Sequence, residues 1–198
     1  MVGLGRGLLS LVSQLGPSRF SYCLTSFLSP EPSRLNFGVF ATLNGTNASS
    51  SGLPVQSTPL VSTPLVVNAA LPSLYFMSLK GISLGQKRLP IDPLVFAIND
   101  DGTGGVFIDS GTSLTWLQQD VYDAVRRELV SVLRPLPPAN DTEIGLETCF
   151  PWPPPPTVTM TVPDMELHFD GGANIGSTTV SQYHVSTSLA FGNTKDIL

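Results

Sequence analysis

The stretch Val106-Phe107-Ile108-Asp109-Ser110-Gly111-Thr112-Ser113-Leu114-Thr115 reads as a short apolar strand that delivers one carboxylate to a loop. That loop opens with hydroxyl, glycine, hydroxyl, and a second apolar run, Leu114-Thr115-Trp116-Leu117, follows it. The glycine lets a backbone N–H approach the carboxylate closely. The hydroxyls can donate to its oxygens and so hold both its orientation and its ionised form. One carboxylate so placed does little by itself. Two that face each other must share a proton, because like charges that close cannot both ionise. One then serves as base toward water while the other serves as acid toward a peptide carbonyl. Turn chemistry alone would explain five residues of this composition, since Asp, Ser, Gly and Thr all favour turns. The apolar lead-in and the apolar strand that follows weigh against that reading. Other enzyme readings fail on detail: Gly111-Thr112-Ser113-Leu114-Thr115 lacks the closing glycine of a nucleophile elbow. Gly3, Gly5 and Gly7 have no strand before them, so they form no dinucleotide fingerprint.

Upstream of this stretch, Leu8, Leu9, Val12 and Leu15 have helical spacing, and Gly16-Pro17 stops that helix. Phe20–Leu24 and Leu35–Phe40 read as short strands, and Ala48–Gly52 as a polar loop. A five-residue duplication, Ser57–Val61 followed by Ser62–Val66, reads as an insertion in an extended connector. The best place for a boundary lies there, giving residues 1–71 and 72–198. Leu74–Leu84 is the strongest strand candidate before the Asp109 loop, with Tyr75, Met77 and Leu79 on one face. Leu89–Ile91 adds another short strand, and Asn99-Asp100-Asp101-Gly102 a turn. Downstream, Val121, Val125, Leu129, Val132 and Leu133 share one helical face. Asp120 suits the cap of that helix, Asp123 its first turn, and Pro135 follows its end. Pro151–Pro156 cannot pack as a central strand and reads as a stiff surface loop. Met165, Leu167 and Phe169 alternate with Glu166 and His168 as a half-buried strand. Phe107 and Trp116 are most simply core.

The composition agrees with a β-rich, loop-rich chain. Of its 198 residues, 41% are hydrophobic, which allows a sizeable core, and Gly and Pro number 18 each. Only 13% are charged and the net charge is −5. No Lys/Arg cluster stands out, which argues against nucleic-acid binding. No run of about 18 apolar residues exists, so no membrane span is expected. Met1–Gly7 does not read as a signal peptide. Sequons at Asn44, Asn47 and Asn140 lie in polar or Pro-flanked stretches, where a glycan would be solvated, and tilt the compartment toward secretory. His168 and His184 have no Cys/His/Asp spacing around them, so no metal site is expected.

Asp109–Ser113 resembles the second catalytic motif of pepsin-type aspartic proteases. More narrowly, the chain is similar to their plant nepenthesin-like branch. The stretches that carry the likeness run through nearly the whole sequence in the family's order. They include Gly3–Gly7, Ser10–Leu15, Phe20–Leu24, Ser62–Val66, Leu79–Gly85, Gly104-Gly105, Cys149-Phe150 and Leu167–Ala173. The resemblance implies an all-β fold with a few short helices, a pepsin-like bilobal β-barrel with a peptide cleft between its lobes. It implies a polypeptide substrate, acid-pH endopeptidase activity, no metal or organic cofactor, and a secreted, cell-wall or vacuolar location. Carried over by position, Asp109 is one catalytic carboxylate and Ser110 reaches across to lock the pair. Gly111 and Thr112 orient the carboxylates, and Ser113 touches substrate backbone.

Departures from the family pattern are equally plain. No second D-[ST]-G-[ST] occurs, so the other catalytic aspartate and the flap are expected to be absent. By the resemblance, residues 1–71 are the later part of the N-terminal lobe plus connector. Residues 72–198 are then the C-terminal lobe, truncated about where a second apolar-apolar-Gly segment should brace the Asp109 loop. The resemblance also pairs Cys23 with an upstream cysteine and Cys149 with one near Ser188, neither of which is present, so two unpaired thiols are expected. Two rivals stand beside the endopeptidase reading. One is a catalytically inactive protease homologue that binds peptides or a partner. The other is a homodimer in which each chain supplies Asp109, required only if the isolated chain is active.

Overall fold

The computed structural model describes residues 2–16, 19–25, 30–42, 60–112, 115–134, 136, 139–141, 146–150, 162–177 and 191–193. In chain order the elements are α1 (Leu11–Leu15), β1 (Phe20–Cys23), β2 (Arg34–Phe37), β3 (Leu65–Val66), β4 (Tyr75–Met77) and β5 (Leu79–Leu84). Then follow β6 (Lys87–Arg88), β7 (Val106–Ile108), β8 (Thr115–Leu117), α2 (Gln119–Val132), β9 (Ala139–Asp141) and β10 (Leu146–Cys149). The last are β11 (Met165–Phe169), β12 (Asn174–Ser177) and β13 (Phe191–Asn193). Strands dominate, as the composition leads one to expect.

The main core lies between α2 and a four-stranded sheet of order β12-β11-β5-β6, antiparallel throughout. Val121, Val125 and Leu129 form the buried stripe of α2, and they meet Ile82, Leu84, Met165 and Phe169 from the sheet. The stripe advances by fours, so Leu133 is buried next while Val132, at the three-residue step, is exposed. The expectation for Val132 is therefore corrected. Asp120 does not cap α2 either: Gln118 occupies the cap, without a side-chain bond, and Asp120 lies in the first turn, where a negative charge meets the helix dipole.

Leu74–Leu84 is two strands in two sheets rather than one. β4 pairs with β3 and β7, whereas β5 pairs with β11 and β6. The break falls at Ser78, whose carbonyl accepts the Asp170 N–H at 2.9 Å instead of continuing a ladder. Phe76, Met77 and Leu79 are consequently all buried, and Tyr75 is half-buried. Leu89–Ile91 is not a strand: after Leu89 N–H bonds Ile82 O, Ile91 N–H turns back to Leu89 O. Asp92 then caps a single 3-10 turn, Pro93–Phe96, by accepting the Leu94 N–H at 2.9 Å.

The N-terminal stretch has less to bury. α1 is a short helix opened by Ser10, which accepts the Ser13 N–H at 3.1 Å, and Leu8 and Leu9 lie exposed before it. β1 and β2 form an antiparallel pair, and Gly38–Phe40 is a 3-10 turn rather than the end of a strand. The Phe20 ring packs against Phe37 and Tyr75 at 6.4 and 6.1 Å. Tyr75 Oη donates to Leu4 O at 2.9 Å and Arg6 N–H to Ser73 O at 2.8 Å, so this stretch docks on the chain just before β4. Cys23 is an exposed free thiol. The side chain of Cys149, the Ala48–Gly52 loop, Pro135, Pro151–Pro156 and His184 lie outside the described residues.

Candidate active site

Asp109 sits where β7 ends. β7 is held along one side by β4, in the register Tyr75↔Ile108, Phe76↔Phe107 and Met77↔Val106. The Phe76 and Phe107 rings touch across that pair at 5.6 Å. Beyond Ile108 the chain turns, and the Gly111 N–H donates to Asp109 Oδ1 at 2.7 Å, an Asx-type turn. A Cβ built on Gly111 would stand 3.0 Å from that same oxygen, so a side chain there would push the carboxylate aside by a few tenths of an ångström. The bond to Oδ1 comes from the backbone. Asp109, Ser110, Gly111 and Thr112 are all exposed. Ser113 lies outside the described residues.

After the loop, β8 leads into α2. It is accompanied by β13, which runs parallel to it with Phe191 opposite Thr115, Gly192 opposite Trp116 and Asn193 opposite Leu117. Leu117 alone of the β8 residues is buried.

Phe107 and Trp116 are not core. They are 45% and 42% exposed, and Ile108, next to Asp109 in the chain, is 42% exposed, so the strands before and after the loop each present large apolar side chains to the surface. The reason is positional: Val106 and Leu117, one step earlier and one step later in the two strands, are the residues packed in the core cluster.

The remaining sequence-derived positions are dispersed. Asn44 and Asn47 lie outside the described residues, and Asn140 is described only as backbone in β9. His168 is far along the sheet in β11, where one ring nitrogen lies 2.7 Å from Ser83 Oγ and the other 3.1 Å from Asn174 Oδ1. That network ties β5, β11 and β12 together and satisfies a buried hydroxyl. Among the described residues no cluster of His, Cys, Asp or Glu could hold a metal ion, and no helix is long and apolar enough to cross a membrane.

The geometry has a counterpart in known proteins. A family model described as the xylanase inhibitor C-terminal domain matches residues 74–188, more than half of the chain and the part that carries Asp109. Nepenthesin-1, an aspartic proteinase of Nepenthes gracilis, is 42% identical over 173 residues, covering 87% of this chain and 36% of its own length. The chain belongs to the plant pepsin-type, nepenthesin-like aspartic proteases. Nepenthesin-2 of the same plant is 41% identical over 177 residues, covering 89% of this nepenthesin-like chain and 37% of itself. The chain therefore spans about a third of the length of the curated relatives it matches. The solved structure of edgp superposes with a TM-score of 0.73 over 98% of this chain and 51% of that one, at 20% identity. At that identity the likeness establishes the pepsin-like fold and nothing finer.

Proposed function

We propose that Asp109 is one of the two carboxylates of an acid endopeptidase site, which hydrolyses peptide bonds by activating a water between them. The observation that carries this reading is an exposed carboxylate at the end of an apolar strand, held by the Gly111 N–H at 2.7 Å, in a chain of aspartic-protease kinship. An oriented, half-neutralised pair of this kind supplies both base and acid at one pH. In this reading Ser110 locks the pair from across the cleft, Gly111 and Thr112 orient the carboxylates, and Ser113 contacts substrate backbone. Residues 1–71 act as the later part of an N-terminal lobe with its connector, and residues 72–198 as the C-terminal lobe. The compartment is secretory or vacuolar, with glycans at Asn44, Asn47 and Asn140, and the partner is a polypeptide.

The second reading is a peptide- or partner-binding protein without catalysis. It is favoured by one observation, the single D-[ST]-G-[ST] in the 198 residues. One experiment separates the two. The purified chain and Asp109→Asn are assayed for cleavage of an unfolded protein at about pH 3–4, where a shared-proton pair works, with and without pepstatin. Cleavage abolished by both the inhibitor and the substitution supports the endopeptidase, with a second copy providing the other carboxylate. A folded chain that cleaves nothing leaves binding as the role of this polypeptide.

A further inference from the structure

Residues 68–75 touch three parts of the molecule, and Asn68 is the polar centre of that junction. Its side chain is 2% exposed and uses both ends of its amide. Nδ2 donates to Gly102 O at 2.8 Å, while Oδ1 accepts from Ala70 N at 2.9 Å and Leu71 N at 3.3 Å. Two N–H donors on one side and a carbonyl on the other assign the amide orientation from its partners. Gly102 has φ +82°, and a Cβ there would stand 2.4 Å from Ala70 Cβ, so the turn lies against residues 68–71 with no room to spare.

We propose that Asn68 is a positioning residue for Asp109, acting through this turn. The turn is stiff within itself: Asn99 N–H bonds Thr103 O at 2.8 Å and Gly102 N–H bonds Asn99 O at 2.9 Å. Its two limbs then close through Gly105 N–H to Ala97 O at 2.9 Å, and β7 begins at the next residue. The height of Gly102 is therefore handed to Gly105 and on to Asp109, three residues beyond Val106. β7 is short and pairs with β4 through three residues. Without the Asn68 link it would keep its side pairing and the Gly105–Ala97 closure, but the turn ahead of it would lose its tie to residues 68–71. Cutting the link removes the buried donor that ties the Gly102 carbonyl to residues 68–71, the loss of one neutral hydrogen bond.

The inference rests on Asp109 being the acid-site carboxylate, but its test reads no proteolysis, so an inactive chain does not disturb it. Amide exchange and carboxyl carbon shifts are measured by NMR on the labelled chain, on Asn68→Ser and on Asn68→Asp. The serine variant keeps a short acceptor for Ala70 N–H and cannot reach Gly102 O. The aspartate variant keeps the acceptor and sets a carboxyl against that carbonyl. The expected result is Gly111 amide exchange faster by about five- to tenfold, the scale of one lost hydrogen bond. The Asp109 carboxyl carbon signal shifts at fixed pH, while Ile82 and Leu129 amides stay as they were. Gly111 and Asp109 signals unchanged beside altered Gly102 and Thr103 amides would overturn the proposal and leave Asn68 as the closure of a turn. Should Asn68→Asp unfold the chain, Asn68→Ser alone decides.

Discussion

The Gly111 N–H and Asp109 Oδ1 stand 2.7 Å apart, and no side chain fits between them. A methyl at 111 would lie 3.0 Å from the oxygen, so Gly111→Ala must either turn the carboxyl or move the loop. A misplacement of a full ångström at a reacting group costs about 100-fold in rate, so a shift of a few tenths of an ångström costs about two- to tenfold. Pepstatin-sensitive cleavage by the site of the proposed endopeptidase is expected to fall by that order, with folding intact by circular dichroism. Full activity in Gly111→Ala would show that the backbone bond does not set the carboxylate.

The helix stripe makes a sharper test of stability. Ile82 is completely buried beneath α2, and Ile82→Ala is expected to cost about 2–5 kcal/mol, as large-to-small core changes do. Val132, 43% exposed on the same helix, is expected to tolerate alanine within about 0.5 kcal/mol. Urea midpoints of the two variants against the parent measure the difference.

What could be read beforehand follows from how local the cause is. The α2 stripe and the Met165–Phe169 alternation depend on periodicity alone, and both elements are present. Asp109 stood out because strand, carboxylate and glycine are adjacent in the chain. The break at Ser78 could not be seen that way, since its cause is Asp170, which is remote in sequence. Nor could the exposure of Phe107 and Trp116, because hydrophobicity does not say which of two neighbouring strand residues meets the core. Asn68 carried no signal beyond being an asparagine in a connector, and its role needs Gly102 beside it.

Asp101 offers a titration test. Its carboxyl is held below the ordinary aspartate range first by the Thr103 hydroxyl, at 2.6 Å, and then by the Thr103 N–H, at 2.9 Å. A depressed carboxyl contributes stability at pH values above its unfolded pKa and loses that contribution as pH falls through the folded value. Thr103→Val removes the larger cause and keeps the smaller. The Asp101 carboxyl carbon is then expected to titrate closer to the ordinary aspartate value of about 3.9, with a correspondingly weaker loss of stability below about pH 4. An unchanged titration curve would refute the assignment of the hydroxyl as the leading cause.

Tyr75 gives the opposite sign at the other end of the scale. Burial raises its pKa, and attraction to Arg6 offsets that only in part. The folded chain therefore keeps the phenol proton when the unfolded chain has begun to lose it, so stability holds below about pH 10 and declines as pH rises beyond. Tyr75→Phe removes both the titration and the donor to Leu4 O. At pH 7 the loss of that bond is expected to cost about 0.5–1.5 kcal/mol. Above about pH 10 the gap between variant and parent narrows, because only the parent still has an alkaline slope to descend. Urea midpoints at both pH values test this, and a gap that widens with pH would show that the phenol is ionised more readily in the folded chain than in the unfolded one. The Phe20 contact survives the substitution, since the ring is kept. Faster proteolysis of residues 2–16 in Tyr75→Phe would then trace specifically to the lost hydroxyl, which joins that stretch to the strand supporting Asp109.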